Sequence, residues 1–211
     1  MLRFENISKR FGTNVVLQHL RGRFGPGCVA LCEENGGGKS TLLSILAGTV
    51  DADSGEVWIG DHSLRADPVK AKRALFYVPD DCLASPLQTG SALLALVADQ
   101  EKTTIGDETW ALAERFGLAP HLEKRFEQMS LGTRKKLFLT AATIGDPLVI
   151  IADEPSAGLD GASRKVLIEL FTALSKARLV FFSSHDADLV ERCAATQIGF
   201  ADLGAMDAPQ R

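Results

Sequence analysis

No apolar run in this sequence approaches the ~20 residues a helix needs to cross a bilayer, and the N-terminus has no secretory hydrophobic core. Both absences lead to the expectation of a soluble, intracellular chain. Positive charge is not in excess: 23 Lys and Arg face 27 Asp and Glu, for a net charge of −4, so no nucleic acid is expected as a main partner. There is no C-x-x-C pair among Cys28, Cys32, Cys82 and Cys193, which excludes the usual zinc and disulfide frameworks and leaves core thiols. Internal repeats and low-complexity tracts are absent, which argues against a solenoid. The N-K-x-D guanine motif is also missing.

What remains is a 211-residue chain, 45% hydrophobic and 24% charged, with a mean hydropathy of +0.06. That is enough for one large core, or a core with a small appended subdomain. Apolar runs alternate with turn signals throughout, as in globular α/β proteins.

The most informative stretch is Glu33-Glu34-Asn35-Gly36-Gly37-Gly38-Lys39-Ser40-Thr41. It lies between the apolar run Cys28–Cys32 and the helical run Leu42–Gly48, the strand–loop–helix layout of a phosphate-binding loop. Consecutive glycines let backbone N–H groups approach phosphate oxygens, and the first turn of a helix adds unpaired donors and a positive dipole end. Lys39 would reach the outer phosphates and the Ser40 hydroxyl would ligate Mg²⁺. The usual pattern, G-x-x-x-x-G-K-[ST], has glycine where this chain has Glu33. If the loop required a positive φ there, a non-glycine residue would cost about 1–2 kcal/mol. Glu33 and Glu34 would also bring two carboxylates near an anion.

Along the chain, the first sixty residues read as short strands at Leu2–Phe4, Val15–Leu17, Leu20–Phe24, Cys28–Cys32 and Val57–Ile59. They are expected to form a small, largely antiparallel sheet that includes the phosphate-loop strand. From about Ser85 to Met129 the pattern turns helical, with pieces at Ser91–Ala98, Asp107–Phe116 and around His121–Arg125. We therefore expect a single domain with a nucleotide-binding core at 1–84 and 140–211 and a helical insertion at 85–139.

Two wholly apolar runs, Leu148–Ala152 and Leu179–Phe182, flank a helical pattern at Ser163–Ser175, which makes a βαβ unit with buried parallel strands. Ligands in such sheets bind at the carboxyl ends of the strands. There the sequence places Asp153 and Glu154, then His185. Asp153 would hold the metal directly or through water, and Glu154 would polarise an attacking water. A neutral His185 would sense or orient the terminal phosphate. Phe11 of Lys9-Arg10-Phe11-Gly12 reads by itself as ordinary aromatic packing. Ser130 precedes an apolar-periodic helix running to Ile144 and is a natural N-cap.

Together these residues resemble the ATP-binding-cassette ATPase family, the nucleotide-binding subunits of ABC transporters, over essentially the whole chain. The loop resembles Walker A, with Asn35, Gly36, Gly38, Lys39, Ser40 and Thr41 in family positions. Leu148–Glu154 resembles Walker B, Ser156-Ala157-Gly158-Leu159-Asp160 the D-loop, and His185 the switch histidine. Met129-Ser130-Leu131-Gly132-Thr133-Arg134-Lys135-Lys136 resembles the signature motif in a variant reading S-L-G. The resemblance implies a P-loop NTPase fold with a mixed core sheet, an N-terminal antiparallel subdomain and a helical insertion. It also implies ATP and Mg²⁺ as ligands, with Phe11 stacked on adenine and Ser130 and Gly132 completing the ATP site of an opposite cassette. The family usually has glutamine where Phe76-Tyr77-Val78-Pro79 is followed by Asp80; the aspartate would still meet Mg²⁺ or a water.

The function this resemblance implies is hydrolysis of ATP by a homodimer or heterodimer of cassettes, driving a separate transmembrane permease from the cytoplasmic face of the inner membrane. The short chain and the Ser130-Leu131-Gly132 signature are more similar to exporters than to importers. Two rival readings are a soluble ABC ATPase and a low-turnover nucleotide-binding regulator, the latter motivated by Glu33 and Asp80.

Overall fold

A computed structural model describes residues 1–33 and 36–205. In chain order these fold into β1 (Leu2–Phe11), β2 (Asn14–Phe24), β3 (Gly27–Leu31), α1 (Lys39–Leu46), β4 (Ser54–Ile59), β5 (His62–Ser63), α2 (Pro68–Arg73) and β6 (Leu75–Val78). The helices α3 (Gly90–Gln100), α4 (Asp107–Arg115) and α5 (Leu131–Ala141) follow, then β7 (Val149–Ala152), α6 (Gly161–Leu174), β8 (Leu179–Ser183), α7 (Ala187–Arg192), β9 (Thr196–Ile198) and α8 (Phe200–Ala205).

Two sheets result, a four-stranded antiparallel one in the order β2-β1-β4-β5 and a five-stranded parallel one in the order β6-β7-β8-β3-β9. The phosphate-loop strand β3 therefore does not belong to the antiparallel sheet, contrary to the sequence expectation. It pairs in parallel with β8 on one side and β9 on the other. The reason is visible in its composition: Cys28, Val29, Ala30 and Leu31 are all buried, so both faces of the strand need cover, as only a central strand of a layered sheet provides.

The parallel sheet separates two cores. Val29 and Leu31 of β3, Val149 and Ile151 of β7, and Leu179 and Phe181 of β8 face α1 and the antiparallel sheet. Their sequence neighbours Cys28, Ala30, Ile150, Ala152, Val180 and Phe182 face α5, α6 and the helical segment, as the two-residue period of a strand requires. Leu93, Leu112, Phe116 and Phe126 from 85–139 join that second core. All four cysteines are free; Cys28, Cys82 and Cys193 are buried, and burial pushes the Cys82 thiol up to about 12.

β2 is one strand, where Val15–Leu17 and Leu20–Phe24 read as two in the sequence. His19 sits at φ 53° and donates its N–H to Ser8 Oγ (3.0 Å), while its ring Nδ1 meets Asn6 Oδ1 (2.7 Å). Asn6 is itself at φ 57°, in a break of the β1 register. These irregularities let Phe4 and Ile7, and Leu17 and Leu20, share one buried face despite a spacing of three. Gly55, facing this break at φ 95°, has no room for a side chain, because a Cβ would lie 2.5 Å from the Asn6 carbonyl oxygen. In the helical segment, the piece expected around His121–Arg125 is instead two 3₁₀ turns, Ala119–His121 and Phe126–Gln128, and Arg125 bridges to Thr89.

Candidate functional site

β3 delivers the chain to the loop, and α1 leaves it at Lys39. Gly38, the residue capping α1, has φ 94°, and a Cβ on it would stand 2.7 Å from Val16 Cγ1 of β2. Glycine is thus demanded by backbone conformation and by the close approach of β2. α1 has neither a side-chain cap nor an acidic residue in its first turn, so no side chain competes for its leading amides.

Lys39 is only 7% exposed. Its ammonium donates to the Glu33 carbonyl oxygen (2.6 Å) and lies 2.9 Å from His185 Nε2. Burial raises the neighbouring Cys32 thiol, against the pull of the Lys39 charge.

Opposite this loop, the ends of β7 and β8 are tied by one hydroxyl. Ser183 Oγ donates to Asp153 Oδ1 (2.5 Å) and accepts from the Glu154 N–H (2.9 Å). Asp153 is 2% exposed, and its own N–H donates to the Val78 carbonyl of β6. Glu154 stands at φ 44° immediately before Pro155. A left-handed residue without glycine's freedom costs about 1–2 kcal/mol, and a following proline further disfavours a helical conformation. The Glu154 Oε2 accepts from the His185 N–H (3.4 Å), whereas Oε1 is buried without a donor, 3.5 Å from His185 Nε2.

These elements enclose a cavity of about 390 Å³. Gly36, Gly38, Lys39, Ser40 and Thr41 line it from the loop and α1; Asp80, Asp153, Glu154 and His185 line it from the strand ends; Phe11 and Val16 line it from the antiparallel sheet. Phe11 is half exposed, its ring 5.4 Å from Lys9 Nζ. The arrangement offers a helix start and an ammonium for an anion, three carboxylates for a cation or a water, and an aromatic face at the rim.

Other expected site residues lie elsewhere. Glu34 and Asn35 fall outside the described residues. Gly37 is exposed and is not part of the cavity wall. Glu33 turns away from the loop, and its Oε1 accepts from the N–H of Phe200 at the start of α8 (2.5 Å). Nor is Glu33 one of the non-glycine residues with positive φ among the described residues. For Glu33 the expected repulsion of phosphate and the expected strain therefore both lack a geometric basis, since this carboxylate is used as a cap; the same expectation for Glu34 lies outside the described residues. Ser130 and Gly132 are absent from the cavity lining. Ser130 caps α5, accepting from the Thr133 N–H (3.2 Å), and Gly132 packs so closely on the Gly158 carbonyl that a Cβ there would come within 2.3 Å of it.

Sequence reasoning missed Ser183 and Lys135. Lys135 is wholly buried, and its Nζ donates to Asp80 Oδ1 (2.9 Å) and to the Glu154 carbonyl oxygen (2.7 Å). In Arg134-Lys135-Lys136 it resembles a solvated charge run, yet it stands three residues after Gly132 and four before Leu139, on the buried stripe of α5. That phase was the available signal.

Residues 18–157 match the family profile described as ABC transporter. Among characterised relatives, the chain is 30% identical over 99% of its length to the linearmycin resistance ATP-binding protein LnrL of Bacillus subtilis (strain 168), of which it spans 68%. It is 29% identical over 95% of its length to the glucosylceramide transporter ABCA12 of Mus musculus, of which it spans 8%. The fold is that of a solved ATP-binding subunit of an ABC transporter (TM-score 0.83, 22% identity, 94% of this chain and 85% of that one). It is also that of the ATP-binding cassette MJ0796, solved as a post-hydrolysis dimer bound to ADP and Pi (TM-score 0.77, 19% identity, 91% of each chain).

Proposed function

The chain belongs to the ABC transporter family as an ATP-binding, ATP-hydrolysing cassette, and from that premise we propose that it powers a separate membrane-spanning permease through ATP-driven closure of two cassettes. The observation that carries this reading is the meeting of Lys39, Ser40, Asp153, Glu154 and His185, from one helix start and two strand ends, on a single cavity.

The donor set fits magnesium nucleotide. Ser40 and Asp153 offer hard oxygens, and Glu154 Oε1 is a buried carboxylate oxygen lacking a donor. Among the described residues no cluster of three or more His, Cys, Asp or Glu could hold a metal by itself, which suits Mg²⁺, a cation that keeps waters and phosphate oxygens in its shell. When bound, Mg²⁺ supplies neutralisation of phosphate charge; Ser40 and Asp153 would hold it.

The amides opening α1 and the Lys39 ammonium bind the phosphates, Lys39 exchanging its contacts with the Glu33 carbonyl and the His185 ring for anionic oxygens. Phe11 takes the adenine face. Glu154 Oε1 accepts the proton of the attacking water, and His185 orients the terminal phosphate from beside it. Ser130 and Gly132, away from this cavity, serve the nucleotide of an opposing cassette, so that hydrolysis requires a homodimer or heterodimer. The segment 85–139 passes the motion to the permease. No helix among the described residues is long and apolar enough to cross a membrane, and the permease supplies that part from the membrane whose cytoplasmic face this cassette lines.

The test is turnover of Mg-ATP by the purified chain beside Glu154→Gln. Loss of a general base lowers kcat by about 10²–10⁴ while nucleotide binding is retained. Tight binding with equally slow turnover in both proteins would remove the motor reading and leave a nucleotide-binding regulator.

A further inference from the structure

Glu154 is held in an unfavourable backbone conformation by its surroundings. Its N–H is fixed by Ser183 Oγ on one side. On the other, its carbonyl oxygen accepts from Lys135 Nζ (2.7 Å) and from the Ala157 N–H (3.1 Å). Conformations of this kind persist only where neighbouring groups over-determine them. Of these three partners, one acceptor and two donors, Lys135 alone brings a charge, and it does so from a side chain with no exposed surface.

A buried ammonium is tolerated when it is paired and hydrogen-bonded. The carboxylate bonded to Lys135 is Asp80, two residues beyond the end of β6, whose side chain is 57% exposed and whose backbone leads into the helical segment. One anchor of Glu154 thus depends on a carboxylate at the protein surface, on the loop joining the parallel sheet to α3. Asp80 Oδ1 is committed to this bond, which narrows what the residue has left to offer inside the cavity.

We infer that Lys135 is a positioning residue for Glu154, and that Asp80 governs its hold by balancing its charge, so that the loop after β6 and the general base are joined through one buried ammonium. The inference rests on the ATPase reading above. It assigns Lys135 no contact with nucleotide; the residue acts through the Glu154 peptide, and displacement of a catalytic group by an ångström is enough to lower turnover about 10²-fold. It also accounts for aspartate at position 80: the aspartate and the lysine form one unit.

A double-mutant cycle on the full chain tests this, with kcat and KM for Mg-ATP, affinity for ATP without metal, and urea midpoint read on each protein. Asp80→Asn and Lys135→Gln should each lower kcat about tenfold or more, with metal-free ATP affinity within about threefold of wild type. The pair Asp80→Asn with Lys135→Gln removes the uncompensated charge while keeping a donor for the Glu154 carbonyl, and should return kcat to within about threefold of wild type and recover the urea midpoint lost in Asp80→Asn. Additive losses in kcat and in urea midpoint would overturn the inference, as would unchanged kcat in the single variants. A wild-type chain that binds ATP without hydrolysing it would remove the ATPase reading together with this one. A hydrolysing wild type whose variants behave additively would remove only this one.

Discussion

Two lysines approach the same strand ends from two different helices, and the protein treats them oppositely. Lys39 opens α1, borders the cavity, and bonds the Glu33 carbonyl and the His185 ring among its contacts. Lys135 lies one turn inside α5, has no surface, does not border the cavity, and bonds a carboxylate and the carbonyl of Glu154. One charge borders the cavity; the other is enclosed beside a carboxylate. Proximity to Glu154 therefore does not by itself make a lysine a ligand-binding group. Access to the cavity separates the two, and a buried charge enclosed with a carboxylate, as Lys135 is, gains little from a second anion and loses much if parted from the first.

The strongest challenge to this contrast is Lys39→Ala. A hydrogen bond to a charged group contributes about 1.5–3 kcal/mol, so Mg-ATP should bind roughly 10- to 100-fold more weakly by calorimetry. Unchanged affinity would mean that Lys39 is as structural as Lys135. A smaller effect is expected one residue beyond Lys135, where Lys136 meets Asp160 at the open surface (3.2 Å). Asp160 caps α6, and hydrogen bonds from Ser163, aided by Lys136, hold its carboxyl at about 2. Asp160→Ala should lower stability by about 1 kcal/mol at pH 7, measured by urea denaturation. Because the folded pKa lies below the unfolded one, the carboxylate's contribution is complete above about pH 4 and fades as pH falls through 2. The deficit of the variant should shrink over that same interval, and a deficit independent of pH would assign the effect to helix propensity instead.

The smallest expected effect is that of Glu33→Gly. With its carboxylate bonded to the Phe200 N–H, Glu33 should influence ATP affinity by less than about threefold, while loss of the cap lowers stability by about 1 kcal/mol. Tenfold tighter binding in the variant would show the side chain facing phosphate after all.

Much of this protein was legible before the fold. The loop glycines, Lys39, Ser40, Asp153, Glu154 and His185 could be picked out because each follows an apolar strand or opens a helix, and a parallel sheet brings such positions to one edge. The β7–α6–β8 unit was legible for the same reason. The membership of β3 in the parallel sheet was not, because its place in the chain among antiparallel strands outweighed its wholly apolar composition. Nor was the continuity of β2, since the bulge at His19 shifts the two-residue period and mimics a gap between strands.

By itself the sequence determined which side chains gather at the strand ends, because local pattern fixes where strands and helices stop, and the chemistry sits at those stops. It determined too that Gly38 and Lys39 would open a helix at the edge of that cavity. Only the tertiary structure decided what Glu33, Asp80 and Lys135 do. Their partners, Phe200, Lys135 itself and the Glu154 carbonyl, lie between 19 and 167 residues away along the chain, and a charge is defined by the group it faces once the elements have packed.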